Sequence, residues 1–167
     1  LDQTAGTYYI FLDAYGSSTG TYVLDVYMSE PSGREGDACG DPIWVDIETE
    51  TSLESNTCHW FLWDFRDDTQ SCDRGTGGYD TVWYFVIETR GTYTFETCDD
   101  ASWDTILDLR SVCNDESTAG RVECDDDSCS PGLQSTITAT LDPGVYYLWI
   151  DGYSESACGA YTIGAVS

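Results

Sequence analysis

The sequence contains no lysine. Its six basic residues are all arginines (Arg34, Arg66, Arg74, Arg90, Arg110 and Arg121), set against 31 acidic residues for a formal net charge of −25. A chain with so little positive charge has no basic face for phosphates, which argues against nucleic acid as a partner and against an anionic membrane surface. Histidine occurs once, as His59. With no paired Cys-x-x-Cys either, a zinc site is not expected. Ser-His-Asp catalysis would have to use His59, which sits between Cys58 and Trp60 in an aromatic run and reads as structural. The sequence also shows no signal peptide, basic targeting stretch or long apolar run, so the expectation is the mature form of a secreted or surface protein without membrane insertion. An amphipathic helix of three turns is missing as well.

Cysteine and acid are present in quantity. The eight cysteines are an even number without a metal pattern, which points to disulfides in an oxidising, extracellular compartment. The acidic surplus opposes compaction by self-repulsion, and divalent cations or high salt are the simplest offset. At 167 residues, 41% hydrophobic and 14% aromatic, the chain can build one core. Polar and apolar residues alternate in Trp103–Arg110, Leu133–Thr138 and Gly144–Tyr153, and further strands are expected at Ile43–Ile47, Thr81–Ile87, Thr92–Thr97 and Ala160–Val166, separated by Gly, Asp and Ser turns. Short strands of this kind at regular spacing predict an all-β, antiparallel sandwich. The segment from Leu1 to Tyr27 nearly copies the C-terminus: Tyr8-Tyr9 matches Tyr146-Tyr147, Asp13 matches Asp151, and Tyr22 matches Tyr161. The expected division is a hairpin at 1–28 that repeats the C-terminal hairpin, a linker at 29–38 and a sandwich domain at 39–167.

A set of short motifs resembles one family. In order they are Asp80 to Phe85, Gly91 to Phe95 (Gly-Thr-Tyr-Thr-Phe), Trp103 to Leu107 (Trp-Asp-Thr-Ile-Leu), Cys124 to Asp127, Gln134 to Thr138, Gly144 to Tyr147 and Ile150 to Tyr153. Together they resemble the bacterial pre-peptidase C-terminal domain over roughly Cys39 to Ser167. The resemblance implies a jelly-roll-like β-sandwich without catalytic activity, found beside secreted proteases or in tandem on bacterial surface proteins. Related collagen-binding modules bind calcium. By that likeness, Asp37, Asp41 and Asp80 make a second possible calcium site.

Three constellations bear on function. Asp104, Asp125, Asp126, Asp127 and Asp151 should meet at one end of the sandwich if their strands are neighbours, and crowded carboxylates suit calcium. Trp60, Phe61, Trp63 and Phe65 alternate, so one face of that run is expected to be a contact surface, with Trp60 and Trp63 as the residues to test. Cys113 with Cys124 is the expected hairpin staple, and Cys98 with Cys129 a second bridge. The pairing of Cys39, Cys58, Cys72 and Cys158 is open. Paired carboxylates also occur in glycosidases, but nothing sets one acid apart here. The expectation is therefore a non-enzymatic extracellular repeat that contacts copies of itself in a surface array or filament. The alternative is a polysaccharide- or collagen-binding module of a secreted hydrolase, with extracellular glycan as partner.

Overall fold

The computed structural model of the chain describes residues 36, 38–47, 49, 52–58, 72, 74, 77–98, 101–115, 117 and 119–166. The hairpin expected at 1–28 and the run holding Trp60 and Trp63 lie outside the described residues. Among the described residues there is no helix long and apolar enough to cross a membrane.

Nine strands are described: β1 (Ile43–Trp44), β2 (Ser52–Asn56), β3 (Thr81–Ile87), β4 (Gly91–Glu96), β5 (Thr105–Arg110), β6 (Arg121–Asp126), β7 (Thr136–Leu141), β8 (Gly144–Gly152) and β9 (Ala160–Val166). They form a five-stranded sheet in the order β1-β3-β8-β5-β6 and a four-stranded sheet in the order β2-β9-β4-β7. Without β1, the orders β2-β9-β4-β7 and β3-β8-β5-β6 are those of a double Greek key, a jelly roll. The fold is thus an all-β sandwich, with one departure from purely antiparallel pairing. β1 lies parallel to β3, Ile43 opposite Trp83 and Trp44 opposite Tyr84. The chain crosses to the other sheet through β2 before returning as β3, and a crossover of that length permits parallel pairing.

Strand composition explains the two layers. β3 reads Thr-Val-Trp-Tyr-Phe-Val-Ile, rich in β-branched and aromatic residues. Its Trp83, Phe85 and Ile87 enter the main core with Leu107, Leu109, Leu148 and Ile150 from the same sheet. The facing sheet contributes Tyr93, Phe95, Ile137, Leu141, Tyr161 and Ile163. Phe85 meets Phe95 across the layers with ring centroids 5.2 Å apart. On the other face of the four-stranded sheet, threonines pair across β4 and β7, Thr92 with Thr140 at 3.1 Å and Thr94 with Thr138 at 2.9 Å. That face is solvated, which gives the clean alternation of these two strands.

The outer face of the five-stranded sheet is different. β5 is buried at every position from Thr105 to Arg110, so Ile106, Asp108 and Arg110 are covered on the side away from the core. Val82, Trp149 and Cys113 form a second apolar cluster there, joined by Cys39 and Tyr147. Within it Arg110 donates to Asp108 Oδ2 through Nε at 3.1 Å and Nη2 at 2.8 Å, and through Nη1 to the Cys113 carbonyl at 3.1 Å. Arg121 adds a second guanidinium to Asp108 at 3.2 Å. The Trp149 indole N–H also donates to the Cys113 carbonyl, at 3.1 Å.

The disulfides are Cys39–Cys113, Cys58–Cys158, Cys72–Cys124 and Cys98–Cys129. The expected Cys113–Cys124 staple is not formed. In the β5–β6 ladder Cys124 lies opposite Asp108, whereas Cys113 lies past the end of β5 in the turn and joins the outer cluster. The two cysteines are therefore displaced along the hairpin, and each bridges to a loop arriving from elsewhere. The C-terminal pair of strands needs a second correction. β8 and β9 do not pair with each other but sit in different sheets, so Tyr153–Gly159 is a corner between layers and not a hairpin turn. The sequence copied at 1–28 copies that corner.

Glycine holds this corner. A Cβ on Gly152 would fall 2.1 Å from the carbonyl oxygen of Ala157, and one on Gly78 would fall 2.3 Å from that of Gly152. Neither obstacle is a flexible side chain. Gly152→Ala is therefore expected to destabilise the domain by about 1–3 kcal/mol, read as a lower thermal midpoint in calorimetry. An unchanged midpoint would contradict this packing.

Candidate metal centre

β6 ends at the rim of the sandwich in Cys124-Asp125-Asp126-Asp127, and strand alternation splits these acids. Asp125 is the register partner of core-facing Leu107, and Asp126 is the partner of Ile106. Register partners share a face, so Asp125 turns inward and Asp126 outward. Asp125 accepts the Thr136 backbone N–H at 2.8 Å and the Ser128 N–H at 3.3 Å. It thereby fixes the turn that starts β7. Asp127 follows with a left-handed φ of 76°, a conformation that Asp and Asn tolerate better than most residues. Asp104 precedes β5 at the same rim, held by its carbonyl accepting the Tyr153 N–H at 3.2 Å.

The result is a group of three acids. Asp104, Asp126 and Asp127 each present a carboxylate oxygen, all within 4.8 Å of one another. The sequence set was larger, and the structure trims it. Asp125 is spent on the β7 turn. Asp151 pairs with the opposite side of Ile106 in the β5–β8 ladder, so β5 separates it from Asp126 by two strand spacings, roughly 10 Å. Asp151 is buried on β8 and is not one of the three. Of the second set, Asp37 lies outside the described residues; Asp41 lies two residues before β1 and Asp80 directly precedes β3, two strands that pair in parallel.

Electrostatics fits the crowding. Burial raises the Asp104 carboxyl above its usual range, and the negative charges of Asp127 and Asp126 raise it further. Asp126 is raised by burial first and by Asp127 second, against an opposing pull from Arg74, whose Nη1 lies 3.4 Å from its Oδ2. A carboxyl with a raised folded-state value favours folding only while protonated. That contribution is complete below the unfolded value of 3.8 and is lost as pH rises through the raised values. In chelator, the thermal midpoint should thus rise as pH falls from neutrality toward the carboxylate range. Asp104→Asn should raise the neutral-pH midpoint and flatten that slope. A variant with the wild-type slope would contradict the crowding.

Sequence reasoning missed one surface. Across the outer face of the five-stranded sheet, Trp44 partners Tyr84, Tyr84 partners Tyr147, and Tyr147 partners Arg110. The rings are 5.0 Å apart for Trp44 and Tyr84, and 6.4 Å for Tyr84 and Tyr147. Trp44 is 48% exposed, with Val145 at 45% and Val86 at 39% beside the row. The signal was the second face of β3, where Val82, Tyr84 and Val86 alternate with the core residues.

The strand order and two-layer core define a jelly-roll sandwich with one added edge strand. A solved structure of this class, the pre-peptidase C-terminal domain of a collagenase from Bacillus anthracis, is similar with a TM-score of 0.51 at 11% sequence identity. The likeness covers 80% of this chain and 99% of that one. It is a likeness of fold. No family model and no curated protein matches the chain.

Proposed function

We propose that this chain is a non-catalytic structural module of an extracellular protein, clamped by disulfides and joined in series to copies of itself. The observation that carries the reading is the set of four disulfides bracing a jelly roll. Such bridges persist in oxidising compartments, and a collagenase's pre-peptidase C-terminal domain has this fold. The series is supported by the sequence, in which 1–28 repeats the final two strands. Sedimentation and negative-stain microscopy of the purified chain test it. Concentration-dependent oligomers or fibres are the expected result, and a monomer at every concentration would overturn self-assembly. Mild reduction supplies the control, since loss of the fold in reductant is expected of a module built for oxidising surroundings.

The row Trp44–Tyr84–Tyr147 favours a second reading, contact with extracellular polysaccharide, because exposed aromatic faces stack on apolar ring surfaces. An insoluble-glycan pull-down is expected to retain the wild type. Trp44→Ala should weaken retention a few-fold to about tenfold, as loss of one aromatic contact predicts. Equal retention of both would remove this reading.

A further inference from the structure

We propose that Asp104, Asp126 and Asp127 form a calcium site at the rim of the jelly roll. This goes beyond the module reading and does not depend on it. The geometry is already assembled: the three ligand atoms lie within 4.8 Å of one another. Calcium binds oxygen at about 2.3–2.6 Å, so ligand atoms on opposite sides of one ion stand up to about 5 Å apart. Three carboxylates offer oxygens in one- or two-atom contact, and water completes a shell of about six to eight. The donor set is all oxygen and all anionic, which suits a hard cation and not zinc or copper.

A second observation points to a ligand. The Asp126 side chain is only 3% exposed, yet its Oδ1 is buried without a hydrogen-bond partner, and Oδ1 of Asp104 is in the same condition. Leaving buried acceptors unsatisfied is costly, more so when they are charged and adjacent. A cation between them satisfies both atoms and removes the repulsion. Among the described residues, the cation at the cluster is Arg74, which touches Asp126 Oδ2 at 3.4 Å with a side chain 64% exposed. It is free to swing into solvent when calcium enters. The site is also braced before the ion arrives. Asp125 pins the turn after β6, and the Tyr153 N–H pins the Asp104 backbone at 3.2 Å.

Calorimetric titration of the chelator-treated chain with calcium chloride tests the site, alongside luminescence of terbium as a calcium surrogate sensitised by neighbouring Trp103. One site is expected, with a dissociation constant of about 10⁻⁴–10⁻³ M, the range of extracellular calcium modules. Saturating calcium should raise the thermal midpoint by several degrees. Asn tolerates the left-handed backbone of Asp127, so Asp127→Asn removes charge without disturbing the fold, and it should weaken binding at least tenfold. Asp104→Asn should do the same while raising the metal-free midpoint, which separates loss of a ligand from loss of structure. Arg74→Gln should tighten binding a few-fold by removing a competing charge. The exposed Glu88→Gln should match the wild type. Two outcomes would overturn the site: no heat and no shift in wild type at about 10 mM calcium, well above the expected constant, or binding that Asp104→Asn and Asp127→Asn both leave unchanged.

Discussion

Asp108→Ala should destabilise the domain by about 3–5 kcal/mol, the cost of stranding a buried charge. For a chain of this size that lowers the thermal midpoint by roughly 10–20 °C. Asp108 and Arg110 are both fully buried, and the pair meets at 2.8 Å. Arg110 also lies over the Trp149 ring at 5.2 Å. Alanine at 108 removes the carboxylate that compensates this guanidinium and the one on Arg121. Arg110 has no route to water, because Cys39, Cys113 and Tyr147 close over this part of the outer face. Removing both charges is a different matter. Asp108→Leu with Arg110→Met keeps the volume and removes both fully buried charges, leaving Arg121, whose side chain is 13% exposed, to turn toward solvent; buried pairs replaced in this way are often neutral or stabilising. The double variant is therefore expected to recover most of the loss. A small effect of Asp108→Ala, measured by denaturant titration, would mean that the outer face is open to solvent.

Breaking the Cys39–Cys113 bridge should have an effect of similar size. It closes a loop with a sequence separation of 74, and chain entropy for such a loop is worth about 4 kcal/mol. Its position adds to that. Cys113 lies in the cluster with Val82 and Trp149, and its carbonyl receives both Arg110 and Trp149. Freeing the Cys39 loop uncovers the same face that shields the Asp108 pair. Cys39→Ser with Cys113→Ser should thus lower the midpoint by roughly 8–16 °C and increase the exposure of Trp149, seen as a red shift in tryptophan emission. Near-wild-type stability would contradict the role of this bridge. Peptide mapping without reduction is an independent check: Cys39–Cys113 and Cys72–Cys124 peptides are expected, and a Cys113–Cys124 peptide would overturn the pairing.

The parts of this fold that can be read from sequence are those where one face meets water. β4 and β7 alternate cleanly because their outer threonines are solvated. β3 stands out through its β-branched and aromatic content. β2 reads Ser-Leu-Glu-Ser-Asn, a polar run whose place in the sheet comes from pairing with β9 and not from its own pattern. The outer face of the five-stranded sheet was hidden for the opposite reason. Asp108 and Arg110, two apart on a strand, look like solvated charges until the loop bearing Cys39 closes over them. That closure also decides the partner of Cys113. The acidic rim was legible as a composition but not as a geometry. One residue of alternation separates Asp125 from Asp126, and the width of β5 separates Asp151 from both. Asp127 joins the group because the chain reverses at its left-handed backbone.

The rim can be tested most directly by anomalous diffraction from crystals grown in calcium or soaked with terbium. The account predicts a peak bounded by the carboxylates of Asp104, Asp126 and Asp127, with the Arg74 side chain withdrawn from Asp126. Crystals that diffract well and show no peak there, or show one only beside Asp80, would contradict it.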